Sequence, residues 1–425
     1  MVLLFFYFFK TSYKSRKKNL RGYLQRHLKQ QIYILFFTLL FLTIDIQRTS
    51  AQIVDAEGQY VDTTFNDNID RTAEDFVIAS LVIADPGTVL YSVLGHACIR
   101  LQCPTFDMDY CFSYESENIS RKVLSFLAGK LMMGLFAIPT TEYCAQYSKE
   151  GRGVYEYTLN LPIEIKRELW RVLDNQLTKG ICMPYDYLHR GCAITAKNFV
   201  EVALGEIDIV YDRSLYDNPR SAKNICKKQM ENALWTRFFC YSIASGKDAE
   251  KALCGEKQLI VPMDLAQAWQ QATVNGKPLI TKEPNILVEG KAQTANGWFT
   301  PMVLALFLLI LSIANLFWNR PYFDWLMLIA QTLVGCGLIY LYCFSNLCCT
   351  DWNWLIIIFN PLPAILWLWR KYWALPYTGI LILWSIAMAI ITIWGHIIVS
   401  WSHIVLGVVF ALIIFKQSNF LQRKH

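Results

Sequence analysis

The sequence predicts two parts of different class, an α+β globular domain followed by an all-α bundle of about five transmembrane helices. The chain of 425 residues is 54% hydrophobic, whereas an average soluble chain is roughly 45–50% apolar. The excess lies in an almost continuously apolar stretch at 299–416. Residues 52–275 instead alternate between strand-like and helix-like hydrophobic periods, as a mixed globular domain does.

The α+β prediction for 52–275 depends on where each hydrophobic period occurs. Apolar alternation or continuous apolar runs predict strands at Phe76–Ala84, His96–Cys103, Met108–Tyr114 and Val154–Leu161. Helical spacing predicts helices from Thr140 to Gly151, from Pro162 to Gly180 and from Cys192 onward. Together these strands and helices give a coarse α+β class.

Five apolar segments make up the predicted membrane bundle. They are Pro301–Trp318, Tyr322–Phe344, Trp354–Trp369, Leu375–Trp394 and Ile397–Phe415. The third is short and carries Asn-Pro-Leu-Pro, so we expect a kink there, because proline removes helix hydrogen bonds.

The basic residues of the loops predict the orientation of the bundle. Arg320, Arg370 and Lys416 follow the first, third and fifth segments, whereas the loop Ser345–Asp351 has no Lys or Arg. Basic loops stay in the cytoplasm, which puts residues 52–275 on the outer, periplasmic side. Residues 276–298 are then a linker, and 417–425 a cytoplasmic tail. We therefore expect a multi-pass protein of the inner (cytoplasmic) membrane.

The N-terminal 51 residues predict a signal peptide or an uncleaved anchor. A basic stretch precedes the apolar run Ile32–Ile44, and the small residues Ser50 and Ala51 follow it. Much of the net charge of +6 lies in this basic stretch and at the C-terminus. Basic residues in those places flank membrane segments, so the charge does not indicate nucleic-acid binding.

Nine of the 13 cysteines lie in the outer domain, where the compartment permits disulfides. Nine is odd, so at least one thiol is left free. The spacing leaves open which one, and small buried apolar cysteines are the plain alternative.

Two residues lie at positions that suit a catalytic cysteine and its base. His96 begins a strand after Gly95, and Cys192 begins a helix after Gly191. A helix N-terminus is expected to lower the pKa of a thiol, and a nearby imidazole would complete an activated nucleophile. The alternatives are a packed histidine with a disulfide-bonded cysteine, or His189 as the base.

A series of short motifs then resembles a known family. The motifs are Gly95-His96, Phe112-Ser113-Tyr114, Phe126–Lys130, Gly151-Arg152, Tyr157–Leu161, Tyr185–Tyr187, Gly191-Cys192, Val261–Leu265, Gly276–Leu279, Trp352–Trp354 and Asn360–Leu362. In this order, over roughly residues 75–415, they resemble the Lnb-type lipoprotein N-acyltransferases. The layout, with His before Cys, also resembles permuted papain-like enzymes. Such families usually have Asn immediately before the Cys, where this chain has Gly191.

The resemblance implies a function and a site. A Cys192–His96 dyad would take a fatty acyl chain from a phospholipid or diacylglyceryl donor and pass it, through a thioester, to the N-terminal amine of bacterial lipoproteins. Neither a cofactor nor a metal is implied. Candidate substrate-binding residues are Tyr114, Lys130, Arg152, Tyr185, Asn353 and Asn360, each with a structural role as the alternative. A non-catalytic envelope assembly or binding protein and a papain-like cell-wall hydrolase are the competing functions.

Overall fold

Among the described residues, the first strand of the outer domain is Ile78–Ala84. The structure is a computed structural model that describes residues 69–116, 122–243, 246–291, 297–318, 320–395 and 399–418. The signal peptide or anchor expected over 1–51 lies outside the described residues. From Asp70 onward the chain forms one unit.

An antiparallel sheet of seven strands is the centre of the outer domain. The strands of the domain are β1 (Ile78–Ala84), β2 (His96–Cys103), β3 (Met108–Glu115), β4 (Met132–Pro139), β5 (Val154–Thr158), β6 (Met183–Pro184), β7 (Ile209–Val210), β8 (Arg220–Ser221), β9 (Ala252–Leu253), β10 (Thr273–Val274), β11 (Lys277–Pro278) and β12 (Asn285–Val288). The main sheet has the order β12-β5-β1-β2-β3-β4-β6. The remaining short strands pair as β11-β10-β7 and β8-β9.

Helices cover both faces of this sheet. They are α1 (Val123–Leu127), α2 (Thr140–Glu150), α3 (Ile163–Lys179), α4 (Cys192–Leu204), α5 (Ser214–Asp217), α6 (Ala222–Gln229), α7 (Leu234–Ile243), α8 (Lys247–Glu250) and α9 (Pro262–Gln271). Apolar residues of α3, α4 and α9, such as Leu169, Val200 and Trp269, pack on one face. Tyr143 and Tyr147 of α2 pack on the other. The mixed α+β class of the domain is confirmed. Strand β1 is buried on both faces, which explains why its sequence is a nearly continuous apolar run.

The outer domain takes in part of the segment that we expected to be a linker. Strand β12 lies inside 276–298 and pairs with β5 at the edge of the main sheet. The last strand of the main sheet therefore ends at Val288, about a dozen residues before the first membrane helix begins at Pro301. Its half-exposed apolar residues are too few to have marked it as a strand in the sequence.

The helical region has fewer full-length spans than expected. Its helices are α10 (Pro301–Trp318), α11 (Pro321–Phe344), α12 (Leu362–Ile365), α13 (Arg370–Ile393) and α14 (Trp401–Lys416). Among the described residues, three are long and apolar enough to cross a membrane: α10, α11 and the Tyr372–Ile393 part of α13. Trp354–Ile365 and α14 are shorter apolar segments. The helical class is confirmed, with about three spans in place of the expected five.

The third predicted segment is broken where its prolines stand. A 3-10 turn at Trp354–Ile357 is followed by α12, and a second 3-10 turn follows that. Each proline lacks an N–H and cannot continue the helix. The freed backbone groups find side-chain partners, because Gln331 donates to the Ile358 carbonyl at 2.6 Å and Asn360 accepts from Leu362 N at 3.1 Å.

A buried ion pair closes the end of the bundle that we predicted to be cytoplasmic. Asp324, at the start of α11, is 3% exposed and pairs with Lys416, at the end of α14, at 2.9 Å. Asn315 of α10 donates to the same carboxylate at 2.6 Å, and Gln417 donates at 3.0 Å. One carboxylate thus ties three helices together with every charge compensated.

The outer domain docks on the loop at the opposite end, residues 345–353, which we call the platform loop. The Ser345 hydroxyl donates to the Leu127 carbonyl at 2.5 Å, and Asn346 N donates to Ala128 at 3.3 Å. The Gly246 N–H donates to the Cys349 carbonyl at 2.7 Å. The loop between α11 and the third segment is therefore on the same side as the outer domain, as the absence of Lys and Arg in Ser345–Asp351 predicted.

Further bonds extend the docking along α7 and α8. Lys247 N donates to the Asp351 carbonyl at 3.2 Å, and Asn353 donates to the Ser242 carbonyl at 2.6 Å. Most of these bonds join backbone groups, so they demand close approach of the two chains. Gly129 and Gly246 permit that approach, since a Cβ at either position would overlap the backbone of the platform loop.

We predict that Gly129→Ala destabilises the protein more than Gly180→Ala does. Both glycines have positive φ, at 65° and 57°, so each alanine costs roughly 1–2 kcal/mol of backbone strain. A Cβ at Gly180 meets nothing within 4 Å, whereas one at Gly129 meets the backbone of Asn346 and Leu347. Thermal unfolding of the solubilised chain measures the difference. Equal losses in the two variants would mean that the platform loop does not hold the domain.

Candidate functional site

The candidate site lies where two neighbouring strands stop pairing. The pairing of β2 with β3 ends at Cys98 and Ser113. His96 and Ala97 lie beyond that pair and continue to pair with β1 only, while β3 runs on to Glu115 beside β4. The backbone at the start of β2 is therefore free of a strand partner on its β3 side.

Helix α4 delivers Cys192 to this opening. Gly191 is the N-cap of α4, with φ −69° and ψ 166°, and Ala193, Ala196 and Val200 bury the helix against the sheet. The Cys192 sulfur is partly buried, and the N–H groups of Ala97, Ala193 and Cys192 itself lie near enough to oppose the rise that burial causes in the pKa of its thiol. Folding thus brings the sulfur of residue 192 to the residue that follows His96.

A hydrogen-bond chain fixes the His96 ring. Its Nε2 lies 2.8 Å from the Ser113 hydroxyl, and that hydroxyl donates to Glu115 at 3.1 Å. A serine hydroxyl has a single proton. Since this proton goes to Glu115, Nε2 must be the donor to Ser113. The neutral ring therefore carries its proton on Nε2, and Nδ1 is left with a free lone pair.

Burial makes both members of the pair neutral at rest. Desolvation lowers the pKa of His96 to about 4, with a further contribution from the Arg152 charge. Burial also raises the pKa of the Cys192 thiol above its ordinary value, although three N–H groups and Arg152 oppose the rise. The expectation that the helix N-terminus would favour the thiolate was wrong, because desolvation outweighs the dipole at this depth.

Arg152 is a cation whose charge lowers the pKa of both His96 and Cys192. It is 4% exposed, donates to the Asp85 carbonyl at 2.6 Å and pairs with Glu150 at 2.9 Å. Its guanidinium also stacks 4.6 Å from the centre of the Tyr147 ring. Within the described part of the chain, its Nη2 atom has no hydrogen-bond partner. Arg152 thus forms the salt bridge of the structural alternative and keeps one donor unused, and its role in substrate binding stays a prediction.

Tyr114 and Tyr185 form one apolar wall beside the site. Tyr114 packs with Leu131 and Met133, and Tyr185 borders the same cluster. Burial raises the pKa of Tyr185, and the charge of Cys192 as a thiolate raises it further, which places the phenol near the sulfur. The role of both tyrosines in substrate binding stays a prediction.

The segment before Cys192 rests on the platform loop. Tyr187 and Leu188 pack in one apolar cluster with Cys348 and Cys349 of that loop. His189, which we considered as an alternative base, is exposed and pairs with Asp186 at 2.9 Å. The ion pair holds His189 to its own loop, and the His189 ring lies in solvent.

The three other candidates differ in their surroundings. Lys130 is exposed. Asn353 caps the 3-10 turn of the third segment and binds Ser242. Asn360 donates to the Ile357 carbonyl at 3.0 Å and to Tyr377 at 2.5 Å. The amides of both asparagines are used within the protein, and Asn353 joins the platform loop to α7.

The thiols of the domain are free. All 13 cysteines, each of which lies in the described ranges, are unpaired. Within those same ranges, no group of three or more His, Cys, Asp or Glu residues is arranged to hold a metal. The groups present at the candidate site are a thiol, an imidazole and backbone N–H donors.

Sequence reasoning missed the role of Ser113. We noted it only as part of a motif, yet it is the residue that binds His96. A signal was present, because Ser113 and Glu115 are two apart on a strand and so share a face. The register that sets Ser113 opposite Cys98, two residues along β2 from His96, is not visible in the sequence.

Comparison with protein families gives two matches. The model of the Lnb N-terminal periplasmic domain matches residues 68–221, and that of the Lnb transmembrane domain matches residues 293–424. The first contains His96 and Cys192, and the second contains the platform loop. Neither the curated proteins nor the solved structures give a match to this chain.

We predict that alkylation of Cys192 by iodoacetamide accelerates about tenfold per pH unit between pH 6 and 8. Only the thiolate reacts, and its fraction keeps rising because the pKa of Cys192 lies above this range. Mass spectrometry of the Cys192 peptide measures the rate, with Cys192→Ser as the blank. A rate that is already constant below pH 7 and falls in His96→Gln would reveal a thiolate–imidazolium pair instead.

Proposed function

This chain belongs to the Lnb family, and we propose that it is a membrane-bound acyltransferase that N-acylates lipoproteins. The acyl chain would come from an ester of a phospholipid or diacylglyceryl donor. The acceptor would be the N-terminal amine of a diacylglyceryl-cysteine lipoprotein. The observation that carries the proposal is the free Cys192 sulfur, which lies at a helix N-terminus near the N–H of Ala97, the residue after His96.

The first half-reaction uses His96 as a general base. As the Cys192 sulfur attacks the ester carbonyl, its proton passes to His96 Nδ1. The tetrahedral intermediate then loses the alcohol of the donor, which takes the proton back from His96. An acyl thioester on Cys192 remains. A neutral pair suits this step, because the proton moves only when the substrate is in place.

The second half-reaction repeats the sequence with an amine. The α-amine of the lipoprotein attacks the thioester, His96 accepts the amine proton, and the Cys192 sulfur leaves and is protonated again. The sum is ester plus amine giving amide plus alcohol, with no oxidant or cofactor. The hydrogen bond from Nε2 to Ser113 keeps Nδ1 as the basic nitrogen in both halves.

Two groups are available for the negative oxygen of each intermediate. The Cys192 N–H opens α4 and lies near the sulfur, where the helix dipole is positive. Arg152 contributes positive charge near both reacting residues and has the unused Nη2 donor. Gly191 supplies no side-chain amide in the place of the usual Asn, and the Ala97 N–H lies near the sulfur in this chain instead.

The membrane region gives both substrates a way to reach the site. Their acyl chains resist leaving the bilayer, at about 0.8 kcal/mol per CH2. A periplasmic domain fixed on the platform loop meets them at the membrane surface. We propose accordingly a multi-pass protein of the inner membrane, made with an N-terminal signal peptide or anchor.

We predict that Cys192→Ala abolishes N-acylation in cells. His96→Ala lowers the rate at least about a hundredfold, because a positioned general base typically contributes 10²–10⁴-fold. Mass spectrometry of lipoprotein N-terminal peptides gives the readout. Cys254→Ala, which removes an exposed thiol of the same domain, is the matched control and keeps full activity. Normal N-acylation in Cys192→Ala cells would end the proposal.

We predict that Ser113→Ala lowers kcat about tenfold with little change in KM. It removes the hydrogen bond that orients the ring, worth about 1–1.5 kcal/mol, and leaves the substrate contacts in place. Ser113→Thr keeps the hydroxyl and restores activity. An unchanged kcat in Ser113→Ala would show that Ser113 does not orient His96.

A further inference from the structure

A cavity lies between the outer domain and the outer ends of the membrane helices, away from the residues of the dyad. Its volume is about 190 Å³, whereas a single water needs about 10–15 Å³. One wall comes from α6 and α7, with Lys227 and Arg237, and the other comes from the ends of α10, α13 and α14. Membrane-facing and domain-facing residues thus share one space.

The polar side chains that line the cavity are suited to bind an anion. Lys227 and Arg237 both line it, and within the described residues neither forms an ion pair. The Thr392 hydroxyl, at the end of α13, is buried in the wall and has no hydrogen-bond partner among the described residues. Two cations and an unused hydroxyl donor facing one space fit phosphate oxygens.

Two helix N-termini add to the positive electrostatic potential in the cavity. Thr300 and Ser400, which precede α10 and α14, both line the cavity. Thr300 caps its own helix through Val303 N at 3.3 Å. The Ser400 side chain makes no capping bond to α14 and lies 2.7 Å from the Ser402 hydroxyl. The first amides of α14 therefore remain without a side-chain acceptor from Ser400, at the positive end of the helix.

The rest of the lining is apolar and faces the bilayer. Pro301, Met302 and Trp401 begin the two membrane helices and line the cavity on that side. Trp235 and Phe299 are next in sequence to the lining residues Leu234 and Thr300. Their tilted rings have centres 5.4 Å apart, and the Trp235 indole donates to the Phe299 carbonyl at 2.8 Å. Aromatic rings of this kind mark the level of lipid headgroups.

We propose that this cavity binds the phosphate of a membrane lipid headgroup through Lys227 and Arg237. The cations face the phosphate, and the apolar side faces the glycerol and the first carbons of the chains. Helix α7 links the cavity to the dyad, because Thr236 donates to the Thr88 carbonyl in the segment that leads to His96. The binding depends on the position of the cavity and does not require acyl transfer.

The test is binding of dihexanoyl-phosphatidylethanolamine to the solubilised full chain, measured by calorimetry without turnover. The double variant Lys227→Gln and Arg237→Gln should bind about tenfold more weakly or worse, because each charge-assisted hydrogen bond is lost. Lys228→Gln is the matched control. It removes an exposed neighbouring cation that does not line the cavity, and it should bind normally.

Other ligands and variants decide between the sources of the anion. Dihexanoylglycerol, which has the chains without the phosphate, should bind at least about tenfold more weakly, and inorganic phosphate should bind more weakly than the lipid. Arg237→Lys, which keeps the charge, should bind better than Arg237→Gln, and an unchanged melting temperature shows that each variant folds. Equal binding of dihexanoylglycerol, an equal loss in Lys228→Gln, or phosphate binding as tight as that of the lipid would overturn the proposal. Intact N-acylation in a variant that has lost lipid binding would leave the proposed chemistry standing.

Discussion

The docking of the outer domain on the platform loop is the contact on which the rest of the molecule depends. Backbone groups make most of its hydrogen bonds, from Ala128 on one side of the domain to Lys247 on the other. Backbone bonds of this kind tolerate little displacement, so the domain is held at one height above the helices. The segment before Cys192 packs on the same loop against Cys348 and Cys349. The position of the sulfur relative to the membrane is therefore set by the loop and is not left to a flexible tether.

Burial governs the chemistry that this position allows. The sulfur and the imidazole both lie in a place that disfavours charge, and their pKa values move apart, with His96 near 4 and Cys192 above its usual range. A preformed ion pair would stand ready to react with any electrophile in an oxidising compartment. A neutral pair transfers its proton only with an aligned carbonyl. In the proposed reaction, the chain from Nε2 through Ser113 to Glu115 selects the tautomer that leaves Nδ1 as the basic nitrogen.

The sequence predicted the parts of the fold that depend on local pattern. Alternation placed β2, and the helix start after Gly191 placed α4, since period and capping are read within a few residues. The sign of the Cys192 pKa shift was missed because it depends on depth, which the elements that cover α4 decide together. Strand β12 was missed since an edge strand with little buried surface leaves a weak pattern. The complete break in the third membrane segment was not predicted, because its prolines permit either a kink or a break, and the contacts of Gln331 and Asn360 with the freed backbone groups are not visible in the sequence.

Helix α7 connects three features at the outer end of the molecule. It lines the cavity with Arg237, binds the platform loop at Ser242 through Asn353, and holds the segment before His96 at Thr236. The bond to Asn353 fixes α7 against the membrane end. A lipid phosphate bound at Arg237, as proposed above, would therefore contact the helix that also supports the segment before His96. The proposed lipid site and the proposed dyad would then share one structural support.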